Sequence, residues 1–362
     1  MLIAIASVLA VLLVLAAVLL ALSPGTVKPI MGADGRPVPG SLSEKAFVDI
    51  NGVKQGMFIQ SRNPANPVLL YLHGGMPDYF LSEKYPTGLE DIFTVVWWEQ
   101  RGSGMSYGPN IPRESLNVDQ MISDTVVLTN YLRSRFHKDK IYLMGHSGGT
   151  FIGIQAAARH PELYHAYIGV QQMVNQLKSE KLAYDYMLAE FKRTGNSDMV
   201  KKLEAAPVTM EGGVPKAYMA MLRDQAMHML GGGTMHNMDS IVTGIMLPSF
   251  ASPQYTLTEK INTWTGKSRA GVAALFGTMT ATDLSKTLPE LSIPVYFLEG
   301  RYDLTCLPAL AKEYLAVLKA PVKGFYTFEN SAHSPTFEEP EKVQQILRED
   351  VLKGTNTLAD EE

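Results

Sequence analysis

The most constraining feature of the sequence is a glycine-rich pentapeptide at residues 145–149, which reads G-H-S-G-G. It follows an apolar run at residues 141–144 and precedes a stretch of small residues at 150–159. A serine in the pattern G-x-S-x-G between a strand and a helix stands on a sharp turn, so the residues two before and two after it must lack bulk. We therefore expect a strand–turn–helix unit that exposes the Ser147 hydroxyl at a helix N-terminus, where backbone N–H groups favour developing negative charge.

Short apolar runs recur along the chain and alternate with loops or helical segments, as the strands of a mostly parallel sheet require. These runs cover residues 68–72, 93–98, 141–144, 167–170, 295–298 and 325–328. Residues 46–50 and 53–60 flank an Asn-Gly dipeptide, which favours a hairpin. Helices are expected at residues 116–136, 150–159, 308–319 and from 340 onward. The predicted fold class is α/β, with a mostly parallel sheet flanked by helices.

Between about residues 171 and 282 the strand pattern stops, and the sequence becomes helical and polar. We interpret this stretch as a helical cap inserted into the sheet domain. It carries 12 of the 19 methionines, which either fill the core of the cap or line a substrate pocket. The expected organisation is an anchor or signal segment at 1–23, a linker at 24–42, the core at 43–170 and 286–362, and the cap at 171–285.

A serine nucleophile needs a general base and an acid that orients the base, and both are found downstream in the sequence. Asp303 follows the predicted strand at 295–298, and His333 follows the last predicted strand. Open α/β sheets place their sites at the carboxyl ends of strands, so we expect Ser147, Asp303 and His333 to meet. Glu299 and Asp283 are the alternative acids.

The oxyanion of the reaction needs two fixed hydrogen-bond donors. We expect one to be the backbone N–H of Gly148, which follows the nucleophile. The other should come from the loop after the strand at 68–72, with Gly75 preferred and Met76 second. His73 and His146 are expected to brace these loops by hydrogen bonds rather than to act chemically.

The first 22 residues carry an apolar run from Leu2 to Leu22, interrupted only by the polar Ser7. As a helix these 21 residues would be about 31 Å long, roughly the hydrocarbon thickness of a bilayer. A basic region that would mark a cleaved signal peptide is missing, and Pro24 would hinder cleavage after Ser23. The prediction is an uncleaved single-pass membrane anchor of unknown orientation; the alternatives are a signal peptide, which would make the protein secreted, and a buried helix.

The composition excludes several classes of protein and partner. With 32 Lys and Arg against 36 Asp and Glu, the net charge of −4 offers no basic surface for nucleic acid. The hydrophobic fraction of 46% and the charged fraction of 19% exclude a mainly disordered, collagen-like or coiled-coil chain. Cys306 is the only cysteine, so no intrachain disulfide forms. We expect no cofactor and no metal, and a small molecule or short peptide as substrate.

Several short motifs follow one another along the chain in a characteristic order. They are H-G-G at 73–75, W-E-Q-R-G-S-G at 98–104, the serine pentapeptide at 145–149, G-R-Y-D at 300–303 and A-H-S at 332–334. In this order they resemble the α/β-hydrolase superfamily, and more closely its proline iminopeptidase-like branch, over about residues 48–347. The resemblance implies a Ser147–His333–Asp303 triad, and an oxyanion hole formed by Gly75 and Gly148.

Some positions depart from the pattern of that branch. Met76 stands where its H-G-G-P-G motif has proline, Glu99 replaces an aspartate, and Gly148 replaces a tryptophan. Such peptidases hold the free amino terminus of the substrate with acidic cap residues. Five acids of the cap are candidates for this role: Glu180, Asp185, Glu190, Glu204 and Glu211.

The predicted function is a serine hydrolase that cleaves an amide or ester through an acyl-enzyme. The resemblance slightly favours a proline iminopeptidase-like aminopeptidase. The alternative is a carboxylesterase for apolar esters, which the missing tryptophan and the methionine-rich cap suggest. A third hypothesis is a non-catalytic hydrolase fold that serves as a binding module.

Overall fold

The structure, a computed structural model, describes residues 2–361. Its centre is a sheet of eight strands: β1 (Leu42–Ile50), β2 (Val53–Ser61), β3 (Val68–Leu72), β4 (Thr94–Trp98), β5 (Ile141–His146), β6 (Tyr164–Val170), β7 (Val295–Gly300) and β8 (Lys323–Phe328). The strand order is β1-β2-β4-β3-β5-β6-β7-β8. Only the β1–β2 and β2–β4 pairs are antiparallel. The other five neighbouring pairs are parallel, which confirms the predicted mostly parallel sheet.

The predicted hairpin joins β1 to β2 through Asn51 and Gly52. Both residues have positive φ angles, 49° and 74°, as a two-residue turn of this hand requires. The two strands pair along their whole length, from Leu42 opposite Ser61 to Ile50 opposite Val53.

Helices flank the sheet and fill the connections. They are α1 (Leu2–Ala21), α2 (Val118–Phe136), α3 (Gly148–Arg159), α4 (Gln176–Arg193), α5 (Ser197–Glu204), α6 (Arg223–Met229), α7 (Leu247–Ala251), α8 (Leu257–Arg269), α9 (Phe276–Ala281), α10 (Leu284–Thr287), α11 (Pro308–Val317), α12 (Pro335–Glu338) and α13 (Pro340–Ile346). Short π-helical segments cover Tyr218–Leu222, Val242–Met246 and Leu347–Val351. Short 3₁₀ segments cover Tyr79–Glu83, Leu89–Asp91, Gly104–Ser106, Arg113–Ser115, Pro161–Leu163 and Gly271–Leu275.

The sheet is buried on both faces, because side chains along each strand alternate between two layers of helices. On β3, Leu70 and Leu72 join one apolar cluster with Phe151 of α3. Leu69 and Tyr71 join the other cluster, which also contains residues of α13. All five residues of β3 are buried, which explains why its sequence is an uninterrupted apolar run.

All the named elements between β6 and β7 are helical, and α4, α5 and α6 share a small apolar core of their own. The methionines of this region divide between roles. Met187 and Met199 are buried in that core, whereas Met221 and Met229 are 74% and 51% exposed. Met227 belongs to the core and also lines the cavity described below. Most of these methionines therefore serve packing or surface rather than a pocket.

The segment after α1 is attached to the cap. The Lys260 ammonium donates hydrogen bonds to the Leu22 carbonyl (2.7 Å) and to Ser23 Oγ (2.9 Å). Among residues 2–361, no helix is both long and apolar enough to cross a membrane. The prediction of a single-pass membrane anchor at residues 1–23 is therefore wrong; Met1 of that range lies outside the described residues.

Candidate active site

Ser147 occupies the sharp turn that the sequence predicts between β5 and α3. Its φ and ψ angles are 53° and −123°, a strained conformation for a residue with a side chain. The neighbouring positions must be glycine because other backbone atoms lie too close for a side chain. A Cβ on Gly149 would lie 2.2 Å from the Leu72 carbonyl oxygen, and a Cβ on Gly145 would lie 2.7 Å from the Gly149 carbonyl oxygen. A Cβ on Gly148 would lie 2.7 Å from Val272 Cγ1. The glycine that replaces the family's tryptophan thus lets the cap approach the nucleophile.

Asp303 and His333 come together at the carboxyl ends of β7 and β8. Asp303 Oδ2 lies 2.7 Å from His333 Nδ1, and the aspartate is only 1% exposed. The backbone N–H groups of Thr305 (2.6 Å) and Cys306 (3.2 Å) donate to its two oxygens and fix its orientation. Because Nδ1 of His333 is engaged by the carboxylate, Nε2 is the nitrogen left for chemistry. Ser147 and His333 line the same cavity.

The two alternative acids lie elsewhere. The Glu299 carboxylate accepts a hydrogen bond from the Gln172 backbone N–H (2.9 Å), and burial raises its pKa well above the usual value. Asp283 accepts from the Ser285 backbone N–H (3.2 Å) and caps a short helix. Within the described chain, neither forms a hydrogen bond with His333, which leaves Asp303 as its carboxylate partner.

The glycine loop after β3 lies directly against the nucleophile. A Cβ on Gly74 would be 2.8 Å from Ser147 Cβ, and Gly75 and Met76 follow it along the cavity wall. The backbone N–H groups of Gly75 and Gly148 donate no hydrogen bond to any group of the described chain. Both donors are thus available beside the Ser147 side chain.

His73 braces this loop, as the sequence suggests. Its Nε2 accepts a hydrogen bond from the Gln100 backbone N–H (3.1 Å), so the proton is on Nδ1, which donates to the Gly74 carbonyl (2.8 Å). Burial lowers the pKa of His73 to about 4, so the ring is neutral at physiological pH.

The loop at residues 99–104 supports the site without lining the cavity. Arg101 donates to both oxygens of Asp124, at 2.7 Å and 3.0 Å, and both side chains are buried. The Glu99 carboxylate accepts a hydrogen bond from the Tyr255 hydroxyl of the cap (2.7 Å). Burial raises the pKa of Glu99 to about 7.

His146 also braces the site by hydrogen bonds, as predicted, through partners that the sequence did not indicate. Its Nδ1 lies 3.2 Å from Asp78 Oδ2, and its Nε2 lies 2.7 Å from the carbonyl oxygen of His333. The Tyr71 hydroxyl donates to the same Asp78 oxygen (2.8 Å). Burial acts to lower the pKa of His146, but the hydrogen bond and charge of Asp78 outweigh it and raise the pKa. When both ring nitrogens carry protons, His146 donates to Asp78 and to the His333 carbonyl, and so positions the His333 backbone.

The cavity at Ser147 measures about 200 Å³ and has an apolar part and a charged part. The apolar wall consists of Met76, Phe80, Leu81, Met227, Ile241 and Ile245. Three charged cap residues, Arg223, Asp224 and Lys267, also line it. Sequence reasoning missed all three, since charges within helical sequence are most often solvated.

The five cap acids proposed from sequence do not line this cavity. Glu180 is fully buried, and both of its oxygens accept from the Arg223 guanidinium at 2.7–3.0 Å. Asp185, Glu190 and Glu204 form surface ion pairs with lysine or arginine. Glu211 is exposed. Their solvated or paired positions leave them no role at the cavity.

One group of side chains among the described residues has the spacing of a metal site: Asp303, Cys306 and His333. Their arrangement does not fit a metal. His333 Nδ1 and Asp303 Oδ2 already hydrogen-bond each other, and burial raises the pKa of the Cys306 thiol, which disfavours the thiolate that a metal requires. The cluster belongs to the histidine–carboxylate pair.

Comparison with known proteins shows which proteins this chain resembles. Residues 68–224 match the model of a family described as serine aminopeptidase, S33. The relative named "Probable aminopeptidase YbaC" from Bacillus subtilis (strain 168) is 29% identical over 315 residues, which cover 86% of this chain and 97% of that protein. The proline iminopeptidase of Heyndrickxia coagulans is 21% identical and covers 84% of this chain and 96% of its own. The crystal structure of VinJ superposes with a TM-score of 0.61 at 21% identity, covering 86% of this chain and 98% of VinJ.

These matches confirm the resemblance of this chain to the α/β-hydrolase superfamily and to its proline iminopeptidase-like branch. Among its relatives, one is named a probable aminopeptidase and two are named proline iminopeptidases.

Proposed function

We propose that this protein is a serine hydrolase in which Ser147, His333 and Asp303 form the catalytic triad. The observation that carries the proposal is the 2.7 Å contact between His333 Nδ1 and the buried Asp303 carboxylate, on the cavity that Ser147 also lines. This contact fixes the tautomer that leaves His333 Nε2 free to accept a proton.

In the first half of the reaction, Ser147 Oγ attacks the carbonyl carbon of the substrate while His333 Nε2 takes the hydroxyl proton. Asp303 stabilises the resulting imidazolium. The tetrahedral intermediate collapses, its bond to the leaving amine or alcohol breaks, and His333 returns the proton to that leaving group. The acyl group then remains on Ser147.

In the second half, His333 takes a proton from water, and the water oxygen attacks the acyl carbon. The bond to Ser147 Oγ breaks, the carboxylic acid leaves, and Oγ recovers the proton. In both halves the backbone N–H groups of Gly75 and Gly148 hold the oxyanion. They support this role because they are unengaged and lie on fixed loops.

For the substrate, the relatives favour an aminopeptidase, and Asp224 supplies a partner for a free amino terminus. Its carboxylate lines the cavity. Its side chain is 36% exposed, and its one side-chain hydrogen bond in the described chain comes from Arg223 Nη1 at 3.3 Å. A carboxylate with spare acceptor capacity suits an ammonium group. The apolar wall would receive the side chain of the first residue.

The test compares proline and alanine arylamides with their N-acetylated forms and with p-nitrophenyl esters of increasing chain length. We expect turnover of the free-amine arylamides alone among the amides, and loss of all turnover in Ser147→Ala. In Asp224→Asn the KM for arylamides should rise, whereas in the control Asp185→Asn, an exposed cap acid, it should not. Equal turnover of free and acetylated arylamides would contradict the aminopeptidase proposal.

The second candidate is a carboxylesterase, which the six apolar side chains of the cavity favour. Turnover of esters without any arylamide would establish it. A folded protein with no turnover of either class and no covalent labelling of Ser147 would establish a non-catalytic binding module.

A further inference from the structure

The cavity at Ser147 is lined by seven charged or titratable side chains: Asp78, His146, Arg223, Asp224, His228, Lys267 and His333. Six of them have partners within the protein. Asp78 pairs with His146, Asp224 with Arg223, and His333 with Asp303. His228 Nδ1 contacts the Asp224 carbonyl at 2.7 Å, and its Nε2 accepts from the Thr234 N–H at 3.4 Å.

Lys267 is the exception. In the described part of the chain, no carboxylate oxygen lies within 4.0 Å of its ammonium, and the ammonium donates no hydrogen bond. The contact that it does make is with the Trp264 ring, whose centroid is 5.5 Å from Nζ. The side chain is half-buried, and burial lowers its pKa. The charge of Asp224 acts on Lys267, but no carboxylate of the described chain contacts the ammonium. A partly desolvated cation without a direct ion pair costs free energy.

The charges around Lys267 show which partner it lacks. Glu180 neutralises Arg223 through hydrogen bonds to both of its oxygens. That pair leaves one negative charge on Asp224 and one positive charge on Lys267. The cap wall of the cavity therefore presents one carboxylate and one ammonium that do not pair with each other.

We propose that Lys267 binds a carboxylate of the substrate, so that this enzyme acts on very short peptides, dipeptides above all, rather than on the ends of long chains. The inference rests on the proposed aminopeptidase function, in which Asp224 receives the amino terminus. A dipeptide is a zwitterion whose two charges complement the Asp224 and Lys267 side chains. Fully extended, it spans at most about 7 Å, which suits a cavity of about 200 Å³.

The position of Lys267 also allows a purely structural explanation. It lies in the last turn of α8, where the helix dipole favours a cation. Arg269 lies in the same turn but is exposed and does not line the cavity. The dipole acts on both residues alike, so a variant at Arg269 is the matched control for one at Lys267.

The experiment measures binding to the Ser147→Ala protein by calorimetry, so that no turnover interferes. The ligands are alanyl-alanine and alanyl-alanine amide, at a pH near 6.5 where both amino groups are protonated. We expect the acid to bind roughly ten-fold more tightly than the amide. Adding Lys267→Met should abolish this ratio, Lys267→Arg should retain part of it, and Arg269→Met should leave it intact.

Equal binding of acid and amide, an unchanged ratio in Lys267→Met, or no binding of either ligand would overturn the inference. Hydrolysis of the same two ligands by the unsubstituted protein separates it from the proposed function. If neither is hydrolysed while the binding ratio still depends on Lys267, the aminopeptidase proposal fails and the carboxylate site stands. If both are hydrolysed equally well with no dependence on Lys267, the function stands and the inference fails.

Discussion

The two sides of the cavity at Ser147 differ in how they are built. On the core side, Ser147, Asp303 and His333 stand on loops at the carboxyl ends of β5, β7 and β8, and backbone hydrogen bonds fix them. On the cap side, Arg223 belongs to α6, which shares a small apolar core with α4 and α5, and Lys267 belongs to α8. The side chains proposed for the chemistry thus stand on loops of the sheet, whereas those proposed to recognise the substrate come from the cap.

On the core side, removing a single functional atom should greatly lower the activity. We predict that Ser147→Ala lowers kcat/KM for any substrate by about 10⁴- to 10⁶-fold, because the covalent path is lost and only binding and the oxyanion donors remain. Steady-state kinetics on the purified variant, with circular dichroism to show that it is folded, measures this. Activity within ten-fold of the unsubstituted enzyme would exclude Ser147 as the nucleophile.

The next largest effect is expected at Asp303, one of two buried carboxyl groups near the end of β7, the other being Glu299. Asp303→Asn should lower kcat by about 10³- to 10⁴-fold, because His333 loses the carboxylate that fixes its tautomer. Glu299→Gln is the matched control, since Glu299 is equally buried but contacts Gln172 instead. It should change kcat by only a few-fold. A reversed order of the two effects would make Glu299 the acid of the triad.

On the cap side, the largest effect of a substitution should be on the free energy of unfolding rather than on kcat. Arg223→Met leaves the buried Glu180 carboxylate without its partner and should lower the free energy of unfolding by about 3 to 5 kcal/mol. The double variant Glu180→Gln/Arg223→Met should recover part of this loss. Arg193→Met removes the arginine of an exposed pair with Glu190, which solvent screens, and should change the free energy of unfolding little. Urea unfolding measures all three, and equal losses at the buried and exposed pairs would contradict the prediction.

A smaller effect on kcat is expected from substitution of His146, which connects the loop of Ser147 to Asp78 and to the backbone of His333. His146→Gln should lower kcat roughly ten-fold with little change in KM, because the backbone of His333 loses a donor that positions it. The ionisable groups that contact His146 or act on its charge are Asp78, His73, Asp303 and His333.

The same network predicts a dependence of stability on pH. Because the folded-state pKa of His146 lies above 6.5, its protonation contributes stability that is complete below pH 6.5 and is lost as the pH rises through the raised pKa. The difference in unfolding free energy between the unsubstituted protein and His146→Gln should therefore shrink as the pH rises above 6.5. A difference that grows over that range would show that the neutral ring is the stabilising form.

Much of the core was predictable from sequence because its constraints are local. Parallel strands buried on both faces read as apolar runs, and the turn at Ser147 needs glycines on both sides. The cap was predictable only as helical sequence. Whether Arg223 meets Glu180 or solvent depends on contacts between residues 43 positions apart, and helical periodicity does not encode them. For the same reason the Asp78–His146 contact, 68 positions apart, was not foreseen.

For the apolar N-terminal run, the sequence led to a prediction that the structure contradicts. Its length and composition predicted a membrane anchor, but the described residues contain no helix that qualifies as a span, and the end of the run is attached to the cap through Lys260. Composition alone does not reveal such a tertiary contact.

If Ser147 is an activated nucleophile, it should react with a fluorophosphonate, so covalent labelling is the decisive measurement. We predict one covalent label per chain, located on Ser147 by mass spectrometry of the digested protein. The label should be absent in Ser147→Ala and much slower to form in Asp303→Asn. Folded protein that takes up no label, or takes it up on another residue, would contradict the account.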